Sequence, residues 1–481
     1  MRIFFCAYPH RIPFVPHRSW NWSNRRRHCG NPAARPSPEA LKEVSGRRNR
    51  IVRKLVVVNI AGLSWDLARH DAMPTTANFP GARPMRPLLP AVTCTMQATL
   101  TTGAAPAGHG IIANGLFDRD FQAVRFWEQS ARLVQTPRIW QTARERKPDF
   151  TCAMLFWQNS VGADADIVLT PAPVHKADGG MVSSCYSRPT GLYDELEAKL
   201  GPFDLMSYWG PMASVKSSRW IASAAKEVFD LFAPDLTLVY LPNLDYPVQK
   251  LGPSAPELRE HLEQTDALVA EISAWARAGG AEVVLLSEYG MTPVSGAIFP
   301  NRILRQAGLL EVREVAGMEF LDIAASKAFA MVDHQVAHIF TKPDATPAAR
   351  AALEGVDGVG AILDSSGKKA AGLDHPRSGD LVALSAADRW FAYYWWEDAN
   401  RAPDFARTVD IHRKPGYDPC EMFIDMATRS ISLDTSLVRA SHGLVPERLG
   451  SMAYFACEAA GRGGAISAAD AALEVQKLLT D

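Results

Sequence analysis

The chain has 481 residues, of which 47 % are hydrophobic and 21 % charged, and its formal net charge is −1. This balance is typical of a globular protein with a sizeable core, and it gives no general sign of a nucleic-acid or membrane partner. The seven cysteines form no CxxC pair, which argues against a zinc knuckle and a disulfide framework and favours a reducing compartment. No apolar stretch reaches the roughly 18 residues that span a bilayer. We therefore expect a cytoplasmic location.

Residues 1–50 differ from the rest of the chain, because they contain eleven Lys or Arg residues and only two Glu residues. They show neither a helical nor a strand period, and they lack the apolar region of a secretory signal. We expect a basic, disordered N-terminal extension. A basic arm that contacts nucleic acid or anionic lipid is the alternative. The folded domain is expected over residues 51–481.

Continuous apolar runs alternate with helical patterns from residue 54 onward. Such runs are typical of buried strands in a parallel sheet. The predicted strands are Lys54–Ile60, Thr151–Phe156, Leu236–Leu241 and Glu282–Ser287. The clearest predicted helix is Pro256–Ala278, which stops at two glycines. Strands that alternate with helices indicate an α/β fold with right-handed crossovers.

The pattern changes between residues of about 300 and 390, where strands become shorter and loops more polar. We predict an inserted small α+β lobe there, with short strands at Phe329–Val332 and Ala337–Phe340. The chain is then expected to return to the core through Asp380–Leu384 and to end on a helix at Ser467–Leu479. Ligands of such sheets sit beyond the carboxyl ends of the strands, so the residues after each run are candidates for chemistry.

Thr93 stands at the start of a predicted helix that runs to Thr102 and stops at Gly103. A hydroxyl at a helix N-terminus lies beside unpaired N–H groups and the positive end of the helix dipole, which suits a phosphoryl group. The alternative is that Thr93 only caps the helix.

Several residues of this segment stand in register with a known pattern: Thr93, Thr102-Gly103, Pro106 and His109-Gly110. The segment resembles the nucleophile region of the type I phosphodiesterase/nucleotide pyrophosphatase family, a branch of the alkaline phosphatase superfamily. The resemblance implies a three-layer α/β/α sandwich with a mostly parallel central sheet. It also implies that Thr93 is the nucleophile and that the amide of Asn114 donates to the phosphate.

The same resemblance implies two divalent ions about 4 Å apart. Asp245 and His442 match the ligands of the family, and Glu288 stands where the family has an Asp. Three further ligand positions are replaced, by Ala61, Gln249 and Tyr289. Asn59, two residues before Ala61 on the same strand face, or Asp66 could substitute for the first of them. An oxygen-rich site of this kind would take zinc, manganese or magnesium, as one ion or two.

Other polar residues could complete such a site or approach a substrate, and each could equally form ordinary loop hydrogen bonds. They are Asp333, His334, His338, Asp374, His375 and His412. The turn that contains Arg377 is interpreted as structural. The aromatic run Trp390–Trp396 is interpreted as packing, with a stacking surface for a ligand as the alternative.

Two functions follow from the residues and the resemblance. The first is a metal-dependent hydrolase of phosphodiester, pyrophosphate or phosphomonoester bonds, which acts through a threonine phospho-enzyme on a small phosphorylated substrate such as a nucleotide. The second is a non-catalytic member that binds a ligand or a partner, because the replaced positions would weaken or abolish the metal site.

Overall fold

A computed structural model describes residues 54–177, 181–459 and 463–480. The basic segment 1–50 lies outside the described residues. The central sheet has nine strands, here in spatial order: Ile466–Ser467, Arg83–Arg86, Ala453–Cys457, Ala281–Leu286, Lys54–Ile60, Leu236–Leu241, Cys152–Leu155, Ile167–Pro171 and Cys185–Arg188. The predicted α/β fold is therefore confirmed, as are the four predicted strands to within a residue at either end.

The middle of this sheet is parallel and fully buried. Lys54–Ile60 pairs in parallel with Leu236–Leu241 on one side and with Ala281–Leu286 on the other. Six of its seven residues are buried, which explains why its sequence is a continuous apolar run without alternation. On one side Ala453–Cys457 pairs antiparallel with both of its neighbours, and at the opposite edge Cys185–Arg188 pairs antiparallel with Ile167–Pro171, so the sheet is mixed.

Two groups of helices pack around the sheet. Val215–Phe232 and Leu258–Ala278 pack against each other and against central strands, and the second of them ends at Gly279 as the sequence predicts. The other group joins the C-terminal helix Ala468–Thr480 to the helices Thr93–Thr102 and Ile139–Arg146. The remaining helices of at least six residues are Leu192–Leu200, Asp245–Leu251, Pro300–Gln306, Thr346–Leu353 and Ser365–Ala370.

A second sheet of four antiparallel strands lies within the segment predicted as a lobe, whose bounds stay a prediction. Its strands are Ala328–Asp333, Val336–Thr341, Leu381–Ser385 and Val359–Leu363 in spatial order. The expected return to the core through Asp380–Leu384 is wrong, because Leu381–Ser385 pairs with both neighbouring strands of this small sheet. Short apolar strands look alike in sequence whichever sheet they join.

The aromatic run lies in the core rather than on a surface. Trp390, Trp395 and Trp396 are each 1 % exposed, in agreement with the packing interpretation. The run packs with apolar side chains of the small sheet and of Gly115–Asp118, so one core joins segments far apart in sequence. Within the described ranges, no helix combines the length and the apolar character that a membrane crossing requires.

Candidate active site

The nucleophile candidate lies on the first residue of the helix Thr93–Thr102. Val92 precedes it in extended conformation and occupies the capping position, so the interpretation of Thr93 as the cap is wrong. The helix ends at Gly103, whose φ of 70° is left-handed and suits glycine. The side chain of Thr93 therefore stands beside the unpaired N–H groups of the first turn.

The hydroxyl of Thr93 is joined to Asp245 through one phenol. Oγ1 of Thr93 lies 3.0 Å from Oη of Tyr289, and this phenol donates to Oδ1 of Asp245, also at 3.0 Å. Because the single phenolic hydrogen is directed to Asp245, Thr93 is the donor of the other bond. Thr93 is only 5 % exposed, whereas Asp245 at the other end of this path is half-buried, with its side chain 17 % exposed.

Asp245 accepts on both carboxylate oxygens. It begins the helix Asp245–Leu251, which follows the strand Leu236–Leu241 after a short turn, and Gln249 one turn later donates to its Oδ2 at 2.7 Å. Burial raises the pKa of Asp245 to about 6, and the hydrogen bonds from Tyr289 and Gln249 oppose this rise. Gln249 is fixed in turn by Tyr417, whose hydroxyl donates to Oε1 of Gln249 at 3.2 Å.

Four rings stack beside these hydrogen bonds. Tyr289 lies parallel to His442 at 3.6 Å between centroids, His442 lies 3.7 Å from His334, and His334 lies 4.0 Å from Tyr417. The stack begins and ends with the two phenols that are linked through Gln249 and Asp245. The four rings and the hydrogen bonds therefore form a closed arrangement.

His442 is buried in its neutral form. Its Nδ1–H donates to the carbonyl of Ala91 at 2.7 Å, directly before the Thr93 helix. Burial lowers its pKa to about 3. Its Nε2 finds no hydrogen-bond partner among the described residues and lies 3.9 Å from Oδ1 of Asp245. Burial likewise lowers the pKa of His334 well below its usual value.

Glu288 is held by two amides. Asn59 Nδ2 donates to its Oε1 at 3.0 Å, and Gln97 Nε2 donates to the same oxygen at 2.6 Å. Burial raises the pKa of Glu288 to about 8 against these hydrogen bonds. Sequence reasoning missed Gln97, although it lies four residues after Thr93 and so on the same face of the helix. Its Oε1 also accepts from the backbone N–H of Gln158 at 2.6 Å.

Asn114 connects the Thr93 helix to the small sheet. Its Oδ1 accepts from the N–H of Cys94 at 2.9 Å, and its Nδ2 donates to Asp333 Oδ1 at 3.1 Å. The backbone N–H of Asn114 donates to the other oxygen of Asp333 at 2.7 Å. Burial raises the pKa of Asp333 to about 7, opposed by these two bonds. One amide hydrogen of Asn114 remains for a ligand, because an NH₂ group carries two.

Four candidates from the sequence lie apart from this network. His375 bonds to Gln135, and Asp374 beside it is exposed. His412 is exposed and faces His175. Asp66 is paired with an arginine at the surface. In the described ranges, no hydrogen bond or ring contact joins any of them to Thr93, Asp245 or Glu288.

Two further residues from the sequence make structural hydrogen bonds. Both ring nitrogens of His338 bond to backbone groups. Arg377 donates to the carbonyls of Gly110 and Leu133, in agreement with a structural role.

The side chains that could bind metal ions do not fit a two-ion centre. The described part of the chain contains no group of three His, Cys, Asp or Glu side chains placed to hold one ion. Among the described residues, His442 Nε2 and Asp245 form one pair of potential metal ligands, and Glu288 Oε2, Asn59 Oδ1 and His334 Nδ1 are further buried atoms without hydrogen-bond partners. A catalytic zinc ion takes three protein ligands, and no three of the described His, Cys, Asp and Glu side chains are placed to hold one. Gln249 and Tyr289 instead donate hydrogen bonds to the carboxylate that would face an ion.

Solved structures share this architecture. Murine ectonucleotide pyrophosphatase/phosphodiesterase 5 is 14 % identical and has a TM-score of 0.55, over 89 % of this chain and 95 % of that chain. An inactive form of it has been solved in complex with AMP. Phosphonoacetate hydrolase from Sinorhizobium meliloti, in complex with phosphonoformate, is 16 % identical with a TM-score of 0.61, over 90 % of this chain and 98 % of that one. At these identities the likeness shows the fold alone.

Sequence comparison identifies the family. An uncharacterized pyrophosphatase/phosphodiesterase of Schizosaccharomyces pombe is 23 % identical over 236 residues, which are 48 % of this chain. The match spans only 41 % of the length of that relative. The family model described as type I phosphodiesterase/nucleotide pyrophosphatase matches residues 55–418, well over half of the chain. The chain therefore belongs to the type I phosphodiesterase/nucleotide pyrophosphatase family.

Proposed function

We propose that the protein hydrolyses phosphodiester or pyrophosphate bonds of a small phosphorylated substrate such as a nucleotide, with Thr93 as the nucleophile. One observation carries this proposal. The Thr93 hydroxyl stands at a helix N-terminus and donates its hydrogen toward a path that ends on a carboxylate. The first feature suits a phosphoryl group, and the second suits removal of the proton. Family membership supports the same class of reaction.

The first turn of the Thr93 helix would receive the phosphoryl group. Its unpaired N–H groups and the helix dipole favour the negative charge that develops on the phosphate oxygens. The N–H of Cys94 is not available, because Asn114 accepts from it. Asn114 therefore acts first by holding this turn in place, and its remaining amide hydrogen would donate to a phosphate oxygen. This extends the role that the resemblance implies for it.

Attack by Thr93 on phosphorus would give a threonine phospho-enzyme, which water then cleaves. Members of this family generally depend on divalent metal ions. Zinc, manganese or magnesium would offset the negative charge that develops on the phosphate and on the leaving oxygen. Because the described side chains do not form a metal-binding centre, the proposed steps use only groups of this chain.

The test is hydrolysis of bis-p-nitrophenyl phosphate by the full chain and by two matched variants. Thr93→Val removes the nucleophile but keeps the shape of the side chain. Thr95→Val makes the same change two residues later, at a buried hydroxyl to which no described residue is hydrogen-bonded. We expect Thr93→Val to lose at least about 10³-fold in kcat, as removal of other nucleophiles does, and Thr95→Val to keep its activity. Equal turnover by both variants would refute Thr93 as the nucleophile.

A ligand-binding role without catalysis is the second candidate, and one observation favours it. The nucleophile candidate is 5 % exposed, and its hydroxyl is already hydrogen-bonded within the protein. Saturable binding of AMP without turnover of any tested ester would support this function. Binding that survives Thr93→Val unchanged would strengthen it.

A further inference from the structure

Two of the three replaced positions in the centre bring a hydrogen-bond donor to a carboxylate, and a neighbour of the third does the same. Gln249 and Tyr289 donate to the two oxygens of Asp245. Asn59, two residues before Ala61, donates to Glu288 together with Gln97. A carboxylate in these places would present only lone pairs toward Asp245 and Glu288, and an imidazole that serves as a metal ligand turns its unprotonated nitrogen the same way, so that a cation lies between them. Amides and phenols supply hydrogens in the same directions.

These donors are fixed rather than mobile. The amide oxygens of Gln249 and Gln97 are engaged by Tyr417 and by the N–H of Gln158, which sets the direction of each NH₂ group. The hydroxyl of Tyr289 is held by its two hydrogen bonds, and its ring is held by stacking on the parallel ring of His442. Both oxygens of Asp245 already accept a hydrogen bond, so a cation there would have to use the remaining lone pairs beside two hydrogens whose partial positive charge opposes it. The arrangement is complementary to hydrogen bonds and not to a divalent ion.

We propose that hydrogen bonds have replaced the divalent cations in this centre, and that Tyr289 carries the proton of Thr93 to Asp245. The proton path rests on the hydrolytic function proposed above. As the bond from Thr93 Oγ1 to phosphorus forms, its O–H bond breaks and the proton passes to Tyr289 Oη. Tyr289 releases its own proton to Asp245 Oδ1. The leaving oxygen departs with the electron pair of its bond to phosphorus.

The ion content of the full chain is the decisive measurement. The protein is equilibrated with zinc or manganese chloride and desalted, and its metals are counted by inductively coupled plasma mass spectrometry. We expect less than about 0.1 ion per chain, whereas an established zinc site would retain about one. The variants Gln249→His/Tyr289→His and Ala61→Asp/Gln249→His/Tyr289→His restore acceptors, and we expect them to gain ions if they fold. About one tightly held ion in the unmodified chain would overturn the proposal, whatever happens to the variants.

The proton path is tested with a matched pair of tyrosines. Tyr289→Phe keeps the ring on His442 but removes the hydroxyl between Thr93 and Asp245. Tyr393→Phe removes a buried hydroxyl that has no hydrogen-bond partner in the described part of the chain. We expect Tyr289→Phe to lower kcat by about 10²–10⁴-fold, the usual share of acid–base catalysis, with little change in KM and a melting temperature lower by only a few degrees, because Asp245 and Thr93 each lose a hydrogen bond. We expect no loss in Tyr393→Phe. An unchanged kcat in Tyr289→Phe would overturn the path.

Failure of the proposed function gives a different result. No turnover under any condition would refute the hydrolytic function and the proton path with it. The ion content would still decide whether hydrogen bonds have replaced the cations. Turnover that is abolished by EDTA and restored by zinc, in a chain that retains the ion, would preserve the function and overturn this inference.

Discussion

Gln97 allows the strength of the hydrogen-bonded centre to be measured. It donates to Glu288 at 2.6 Å and accepts from the N–H of Gln158 at 2.6 Å, and its side chain is 1 % exposed. Gln97→Met keeps the length of the side chain but removes both bonds. Each buried group that loses its partner costs about 1–3 kcal/mol, and Glu288 retains its bond from Asn59. We therefore expect a loss of about 2–4 kcal/mol in the free energy of unfolding.

Urea unfolding at pH 7, followed by circular dichroism, measures this loss. Thr95→Val is the control, because it removes a buried hydroxyl without a partner from the same helix. Its free energy of unfolding should stay within about 0.5 kcal/mol of the unmodified chain or rise. If Gln97→Met unfolded at the same urea concentration as Thr95→Val, the two hydrogen bonds would contribute nothing and the reasoning would be refuted.

Three further predictions concern the surroundings of the centre. Nδ1 of the buried His109 accepts from the N–H of Ile111, so its Nε2–H donates to Thr99 Oγ1 at 3.0 Å, and burial lowers its pKa from 6.5 to about 3. Since the unfolded chain binds this proton more readily, the stability that the neutral ring contributes is complete above pH 6.5 and falls as the pH drops toward 3. His109→Gln should reduce the slope of unfolding free energy against pH over that interval, and an unchanged slope would contradict the assignment. The side chain of Lys414 is 1 % exposed, and its Nζ binds the carboxylates of Asp418 at 2.8 Å and Glu421 at 2.6 Å. Lys414→Met should lower the free energy of unfolding in urea by about 3–5 kcal/mol. A loss below about 1 kcal/mol would show that these ion pairs are not buried in solution. A Cβ at Gly290 would collide with the carbonyl oxygen of Ser451. Gly290→Ala should therefore lower the melting temperature, and it should also reduce hydrolysis because it displaces Tyr289. An unchanged melting temperature together with unchanged hydrolysis would show that Gly290 and Ser451 are not in contact.

The main fold could be predicted from the sequence because its strands are buried on both faces. Lys54–Ile60 and Leu236–Leu241 have the bounds that their apolar runs indicate. The pairing of Leu381–Ser385 with the small sheet could not be predicted, because a five-residue apolar strand carries no information about its partner. Periodicity therefore located the elements, while the choice between two sheets depended on contacts between distant segments.

The candidate site was predictable only in part, for the same reason. The motif around Thr93 and the positions after the strands indicated where to look, and Thr93, Asp245 and His442 do lie together. The link from Gln97 to Glu288 joins residues 191 positions apart, and that from Tyr417 to Gln249 joins residues 168 positions apart. Gln97 and Tyr417 do not stand at a matched position of any motif, so only the folded chain shows that they take part in the site.

The closed arrangement of rings and hydrogen bonds has a consequence for how this protein can change by mutation. Tyr289 and Gln249 each satisfy one oxygen of Asp245, and Tyr417 satisfies Gln249 in turn. Exchange of any one of them for an acceptor leaves a buried group without its partner, at a cost of about 1–3 kcal/mol. A chain that returned to cation ligands one substitution at a time would pass through less stable intermediates. The history of this centre is therefore difficult to reverse by single steps, and its residues should vary together among descendants or not at all.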